Sequence, residues 1–254
     1  MERTFDGKVV VVTGAASGMG RGCADYLAAR GARLALIDPA AAGLDAAVQS
    51  AKAAGAEVQA SAISVADDVA VTRFIDSVAE AWGGIDGLVH AGAILRYAGL
   101  LATDRATWDD VIAVNLTGTF VINQAVARVM VAGGRGGAIV NIASVAAVMG
   151  LSSLTAYSAS KGGVAAFTRS VAKDLLPHGI RVNYICPGFV ESGMTADLLT
   201  SDEARAARAR STGVGRICQP EDIAAACAFL LGEGALFISG HGLMIDSGAS
   251  IAGS

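Results

Sequence analysis

The chain has 254 residues and a mass of 25.4 kDa, enough for one fully cored α/β domain or at most two small ones. Hydrophobic residues make up 53% and charged residues 17%, the opposite of a disordered chain, and a net charge of −4 without any basic run excludes the electrostatic footprint of a nucleic-acid binder. The polar Met1–Lys8 segment does not read as a signal peptide. The longest apolar run, Ile223–Leu231, is too short to span a bilayer, so no membrane partner is expected. Cys23, Cys186, Cys218 and Cys227 show no C-x-x-C spacing and no His cluster. They argue against a metal site or a disulfide framework, read as small buried hydrophobes, and suit a cytoplasmic protein.

In chain order, Lys8–Thr13 is a Val-rich run ending at glycines, which predicts a buried strand. Gly18–Arg30 reads as a helix closed by Gly31, Arg33–Asp38 as a strand, Ala41–Ala54 as a helix stopped by Gly55, and Glu57–Ser64 as a third strand. Val71, Phe74, Ile75, Val78, Ala79 and Trp82 form one apolar stripe at helical spacing, ended by Gly83–Gly84. Next come strand Gly87–His90, a long helix over Thr107–Val131, strand Ala138–Ala143, helix Thr155–Leu176 stopped by Pro177, and strand Arg181–Cys186 broken by Pro187–Gly188. Pro220–Leu231 is the last helix, with Glu221 and Asp222 at its positive end, and Gly242–Ile245 the closing strand. Strands and helices alternating in this way predict a doubly wound parallel sheet, helices on both faces, in a single domain spanning residues 1–254. Phe189–Gly215 is polar, Arg-rich and without clear periodicity, and is expected to form a lid.

The first strand turns into the first helix through Thr13-Gly14-Ala15-Ala16-Ser17-Gly18-Met19-Gly20. Glycines permit a sharp turn and close approach of backbone to a pyrophosphate, and the helix N-terminus supplies free N–H groups. Asp38, at the end of the second strand, is placed to accept hydrogen bonds from the adenosine ribose hydroxyls. Its neighbours are Pro39 and Ala40, and Ser17 precedes Gly18 in the loop, so no cation answers a 2′-phosphate; NAD rather than NADP is expected. Further on, Tyr157 and Lys161 stand at i and i+4 on one helix face. An ammonium beside the phenol, with the positive charge of oxidised nicotinamide, favours the phenolate and suits Tyr157 to acid/base work. Ser144 follows a strand at the carboxyl edge of the sheet, where its hydroxyl is placed to hold a substrate oxygen.

These residues resemble the short-chain dehydrogenase/reductase family over essentially the whole chain. The matching pieces are TGAASGMG, Asp38, Asn115 in VNLTGTF, Ser144 in IVNIASVAA, Tyr157 and Lys161 in YSASK, and Pro187-Gly188 after RVNYIC. The resemblance implies a seven-stranded sheet in the order 3-2-1-4-5-6-7. It implies Tyr157 as the acid/base, Lys161 as the nicotinamide-ribose ligand that tunes it, Ser144 as the positioner of the substrate oxygen, and Asn115 as the holder of a water linking Lys161 to solvent. Pro187, Gly188, Val190 and Ser192 are expected beside the nicotinamide, with the Ser192 hydroxyl where Thr is common. Two departures concern the adenosine end. His90-Ala91-Gly92-Ala93 stands for the usual N-N-A-G, with His90 either a donor to the cofactor or a space filler. Ser64-Val65 stands for Asp-Val, leaving the Ser64 hydroxyl in place of the carboxylate.

The resemblance also implies a homotetramer in which the Asn115 and Tyr157 helices meet their symmetry mates. Ala159, Gly162, Gly163, Ala165 and Ala166 would give the latter a small-residue surface. The expected activity is hydride transfer between NAD(H) and a small secondary alcohol or ketone. Candidate pocket residues are Ile94, Val145, Ala146, Met149, Leu151, Leu154, Phe189, Glu191, Met194, Leu198 and Leu199, mostly apolar, so a hydrophobic substrate is expected. Glu191 keeps a polyol, sugar or dihydrodiol open. Two other classes stand beside this one. A catalytically silent dinucleotide-binding sensor would have no need of all four of Asn115, Ser144, Tyr157 and Lys161, and a dehydratase or epimerase usually carries a larger C-terminal substrate domain.

Overall fold

A computed structural model describes residues 4–251. Successive side chains of a strand point to opposite faces, and that alternation sets the architecture. In β1 (Val9–Thr13), Val10 and Val12 enter one apolar cluster, Val9 and Val11 another. The first cluster is covered by α1 (Gly18–Ala28), α2 (Ala41–Ala53) and α8 (Pro220–Leu231), the second by α3 (Asp68–Trp82) and α5 (Gly118–Gly133). Between them lies one sheet. Its other strands are β2 (Arg33–Ile37), β3 (Val58–Ser61), β4 (Gly87–His90), β5 (Gly137–Ile142), β6 (Ile180–Pro187) and β7 (Gly242–Ile245), all parallel, in the order β3-β2-β1-β4-β5-β6-β7. This is the fold and strand order that the sequence resemblance implies. Parallel neighbours require crossovers, so both faces of the sheet become buried.

The register aligns the carboxyl ends. Thr13 lies beside Ile37 on one side and His90 on the other, and His90 beside Asn141. The chain reverses its direction of winding between β1 and β4, which opens a crevice above that rim.

Several elements depart from expectation. β3 ends at Ser61 rather than Ser64, because its partner β2 ends at Ile37 and offers nothing further to pair with. The long helix starts at Arg105, where the Asp104 side chain accepts the Thr107 amide at 2.7 Å. It is then interrupted: α4 (Arg105–Ile112) passes into a wider π turn, Ala113–Thr117, before α5. A π turn leaves little trace in side-chain periodicity. The whole stretch Arg105–Gly133 is long and apolar enough to cross a membrane by length and composition, unlike the shorter Ile223–Leu231 run. Half of its apolar window is buried in the fold, as in a core helix.

Phe189–Gly215 is not irregular throughout. It holds a 3₁₀ turn, Gly193–Leu198, and α7 (Asp202–Arg210). α7 lacks an apolar stripe but has good ends: Ser201 accepts the Ala204 amide, Asp202 and Glu203 sit at the positive end, and Arg208 and Arg210 at the negative end. Neither element buries a residue. Cys23, Cys186 and Cys227 are buried and Cys218 half-buried, all as free thiols.

Candidate active site

The crevice is built by the first turn. Gly14 has φ of 68°, and a Cβ there would lie 2.9 Å from the backbone of Ala91 and Gly92, so only glycine lets this loop meet the end of β4. Ser17 is the N-cap of α1 but its side chain makes no capping bond, and no acid stands in the first turn. The N-terminal amides of α1 are therefore not answered by a carboxylate of their own helix. Asp38 is held by the Ala40 amide on Oδ1 at 2.8 Å and the Ala16 amide on Oδ2 at 3.1 Å, which ties it to the glycine loop. Gly14, Ser17, Gly18, Met19, Gly20, Asp38, Ser64, Val65, Ala91 and Gly92 all line one groove of about 250 Å³. A helix end open to anions at one place and a carboxylate at another fit the pyrophosphate and ribose of a dinucleotide.

A second cavity of about 900 Å³ contains Ser144, Tyr157, Pro187, Gly188 and Val190, and shares Met19, Ser192 and Met194 with the groove. Of the expected pocket residues, Val145, Met149, Leu151, Leu154, Phe189 and Met194 line it. Ile94 lines the groove instead, and Ala146, Leu198, Leu199 and Glu191 line neither. Glu191 is bound to Arg205 and to Gln219 Nε2 at 3.0 Å, so it ties α7 to the N-cap residue of α8 and lines neither cavity.

Ser144 is the N-cap of the turn Val145–Ala147, and its Oγ accepts the Ala146 amide at 3.1 Å. The hydroxyl proton remains available to donate. Tyr157 stands in the first turn of α6 (Thr155–Leu175). Its phenol is raised to about 12: burial pushes it up, the Ser144 hydroxyl offsets part of that rise, and Tyr97 adds a small one. In the protein alone Lys161 is not among the groups that shift the phenol, and the expected lowering also counts on the charge of a bound oxidised nicotinamide. The ammonium lies 5.7 Å from the ring centroid and donates to the Ile142 carbonyl at 2.7 Å. Lys161 is itself buried, and desolvation lowers it to about 8 against a smaller opposing effect of Cys186. Lys161 lines neither the groove nor the cavity of the protein alone.

Asn115 is fully buried in the π turn. Its side chain clasps Ile94, Oδ1 accepting the amide at 2.8 Å and Nδ2 donating to the carbonyl at 2.9 Å, and Nδ2 also reaches Ser160 Oγ at 3.2 Å. α6 approaches this turn closely: a Cβ on Gly163 would lie 2.8 Å from Leu116 Cδ2. Gly163 thus makes room for Leu116, and Ala165 is buried within the subunit.

The His90 side chain is buried and does not line the groove, which matches the space-filling of its two expected roles. Its Nδ1 is 2.7 Å from Thr13 Oγ1 and its Nε2 2.9 Å from Thr119 Oγ1. Proton counting assigns the tautomer. Thr119 gives its one hydroxyl proton to the Asn115 carbonyl at 2.6 Å, so it must accept from Nε2–H. Nδ1 then accepts the Thr13 hydroxyl, whose oxygen receives the amides of Ala91 at 3.2 Å and Gly92 at 3.1 Å. Burial, aided by Lys161, lowers His90 to about 3 and keeps it neutral. His90 thus ties the cofactor groove to the Asn115 turn.

The network continues beyond what sequence reasoning found. Asn123 donates to the Thr119 carbonyl at 2.8 Å and exchanges hydrogen bonds with Asn141, and Asn141 donates to Thr168 at 3.1 Å. The available signal was a lone polar residue in an otherwise apolar run, as with Asn141 in AIVNIA.

Comparison with known proteins agrees with this geometry. A family model described as Enoyl-(Acyl carrier protein) reductase matches residues 14–250. The 2-(S)-hydroxypropyl-CoM dehydrogenase 3 of Xanthobacter autotrophicus is 36% identical over 257 residues, 98% of each chain. The D-threitol dehydrogenase of Mycolicibacterium smegmatis is 40% identical over 248 residues, 97% of this chain and 94% of that one. A solved short-chain type dehydrogenase/reductase from Mycobacterium ulcerans superposes with a TM-score of 0.92 at 29% identity, covering 98% of this chain and 91% of that one. The chain belongs to the short-chain dehydrogenase/reductase family, the oxidoreductases that work with a nicotinamide cofactor.

Proposed function

We propose that this protein uses NAD to interconvert a secondary alcohol and its ketone, with a largely apolar substrate body. The observation that carries the reading is that the Ser144 hydroxyl and the Tyr157 phenol line one cavity that shares walls with the dinucleotide groove. A bound oxidised nicotinamide supplies the hydride acceptor and a positive charge beside the phenol. Ser144, fixed by the Ala146 amide, donates to the substrate oxygen. Tyr157 takes the carbinol proton in oxidation and returns it in reduction. Lys161, with one N–H on Ile142, keeps two for the cofactor ribose, and its charge favours the phenolate once the site is filled. Asn115 fixes the Ile94 loop and offers the second lone pair of its carbonyl to a water serving Lys161. In the protein alone Tyr157 stands near 12, raised chiefly by burial, so proton transfer at neutral pH depends on these charges.

The preference for NAD rests on Asp38, whose charge faces the groove with no cation to answer a 2′-phosphate among Pro39, Ala40 and Ser17. Kinetics with both cofactors at one alcohol should favour NAD by about a hundredfold in kcat/KM, and Asp38→Ala should erode the ratio by weakening NAD. Equal efficiency with NADP would overturn this assignment. A polyol is the second reading, favoured by the D-threitol dehydrogenase relative and by Ser152, Thr195 and Thr212 in the cavity wall. A panel of simple secondary alcohols and polyols separates the two. Exposed Phe120, Phe229, Leu236 and Phe237 support assembly as a homotetramer, which light scattering measures.

A further inference from the structure

The substrate cavity has a charged wall that proton transfer does not use. Four charged side chains line it: Arg208, Arg216, Asp222 and Asp246. Three are already engaged. Arg216 forks onto Asp222, Nη1 to Oδ2 at 2.6 Å and Nη2 to Oδ1 at 2.7 Å. Asp246 accepts the Gly248 amide at 3.0 Å and the Ser250 amide at 2.8 Å. Arg205, one turn before Arg208 on α7, is paired with Glu191 and lies outside the wall.

Arg208 differs from all of these. Among the described residues it has no carboxylate partner, and its guanidinium donates no hydrogen bond to the protein. Its guanidinium carbon lies 4.2 Å from the centroid of the Phe189 ring. A cation held over a ring is restrained in place, while its N–H donors remain free for an acceptor. Phe189 and the solvent-exposed Arg208 both line the cavity that contains Ser144 and Tyr157. The rest of that wall includes Val145, Met149, Leu151 and Leu154, which offer nothing to a charge.

We propose that Arg208 binds an anionic group of the substrate, so that the alcohol or ketone also carries a carboxylate, sulfonate or phosphate. This rests on the oxidoreductase reading of the same cavity. A two-oxygen face of such an anion matches the guanidinium fork, which an isolated ammonium would not reproduce. The contact also has a consequence for the lid. α7 buries none of its residues, so an anion bridging Arg208 to a substrate seated at Tyr157 adds an attachment that the free protein lacks.

The test uses the intact protein with NAD and a matched pair, 4-hydroxypentanoate and 4-hydroxypentanamide. The acid should exceed the amide by about tenfold in kcat/KM, mainly through KM, and added salt should raise KM for the acid alone. Arg208→Gln should bring the acid down to the level of the amide, and Arg208→Lys should restore part of the difference. Equal efficiency for acid and amide, or a preference that survives Arg208→Gln, overturns the proposal while leaving the oxidoreductase reading intact. Should neither compound nor any simple alcohol turn over, the activity reading fails, and calorimetry of pentanoate with the protein–NAD complex decides Arg208 by itself. Binding abolished by Arg208→Gln supports the anion site; binding absent or unchanged rejects it.

Discussion

The two sides of the substrate cavity are held by opposite means. On the sheet side, Thr13, His90, Asn115, Thr119 and Lys161 are buried, and each polar side chain has a named partner within 3.2 Å. On the lid side, α7 and the turn before it bury nothing and are attached through pairs near the surface, Glu191 with Arg205 and Gln219, and Arg216 with Asp222. Acid/base geometry tolerates little displacement, so it is placed where low dielectric and close packing fix each donor. On the proposed reading, recognition of the substrate body falls to elements that bury little, where a substitution leaves the sheet untouched.

The sharpest way to break this contrast is at Tyr157. Tyr157→Phe removes the proton-transfer group and should lower kcat by roughly a hundredfold to ten-thousandfold. NAD binding should persist, because the groove around Gly14 and Asp38 is unchanged. Steady-state kinetics with a fluorescence titration of the reduced cofactor reads both, and a near-native kcat would remove Tyr157 from the mechanism.

His90 probes the rigid side through stability. His90→Leu leaves the Thr13 hydroxyl without its acceptor and the Thr119 oxygen without its donor, at a cost of about 1–3 kcal/mol in urea unfolding. The pH dependence gives a second signature. The folded imidazole is lowered to about 3, whereas an unfolded one titrates near 6.5. The unfolded chain therefore binds the extra proton between those values. This contribution is full above about pH 6.5 and is lost toward pH 3, at up to ~1.4 kcal/mol per pH unit. His90→Leu should flatten that part of the profile; an unchanged slope would mean that His90 is not held neutral.

The smallest effect is expected on the lid. Glu191→Gln weakens an exposed pair and should change global stability by less than about 1 kcal/mol. Hydrogen exchange over residues 189–215 should be faster than in β1 and β5 in the free protein, and should speed further in the variant. Equal protection of lid and sheet would erase the distinction between the two sides.

Much of the site was legible in the sequence because its parts sit at element ends. Gly14, Asp38, Ser144 and Pro187 each follow or close a strand whose Val- and Ile-rich run is plain to read, and a parallel sheet brings all such ends to one rim. Tyr157 and Lys161 were legible through helical spacing. The role of His90 was not, since a histidine ending a strand reads equally as ligand contact or filler. Its partners Thr13 and Thr119 lie 77 and 29 residues away. Nor was the π turn at Asn115, which alters backbone hydrogen bonding without changing which residues are apolar.

What the sequence alone determined is the alternation of elements, the open helix end at the glycine loop, and the placing of Tyr157 and Lys161 one turn apart on a helix, because each depends on interactions within a few residues. Tertiary structure decided the rest. It turned Glu191 away from the cavity and left Arg208 in its wall, directed the Lys161 ammonium to Ile142, and buried Tyr157 so that its phenol is raised in the protein alone. Those outcomes depend on which charges lose water and which partners fold brings near, and neither desolvation nor distant pairing is encoded in local spacing.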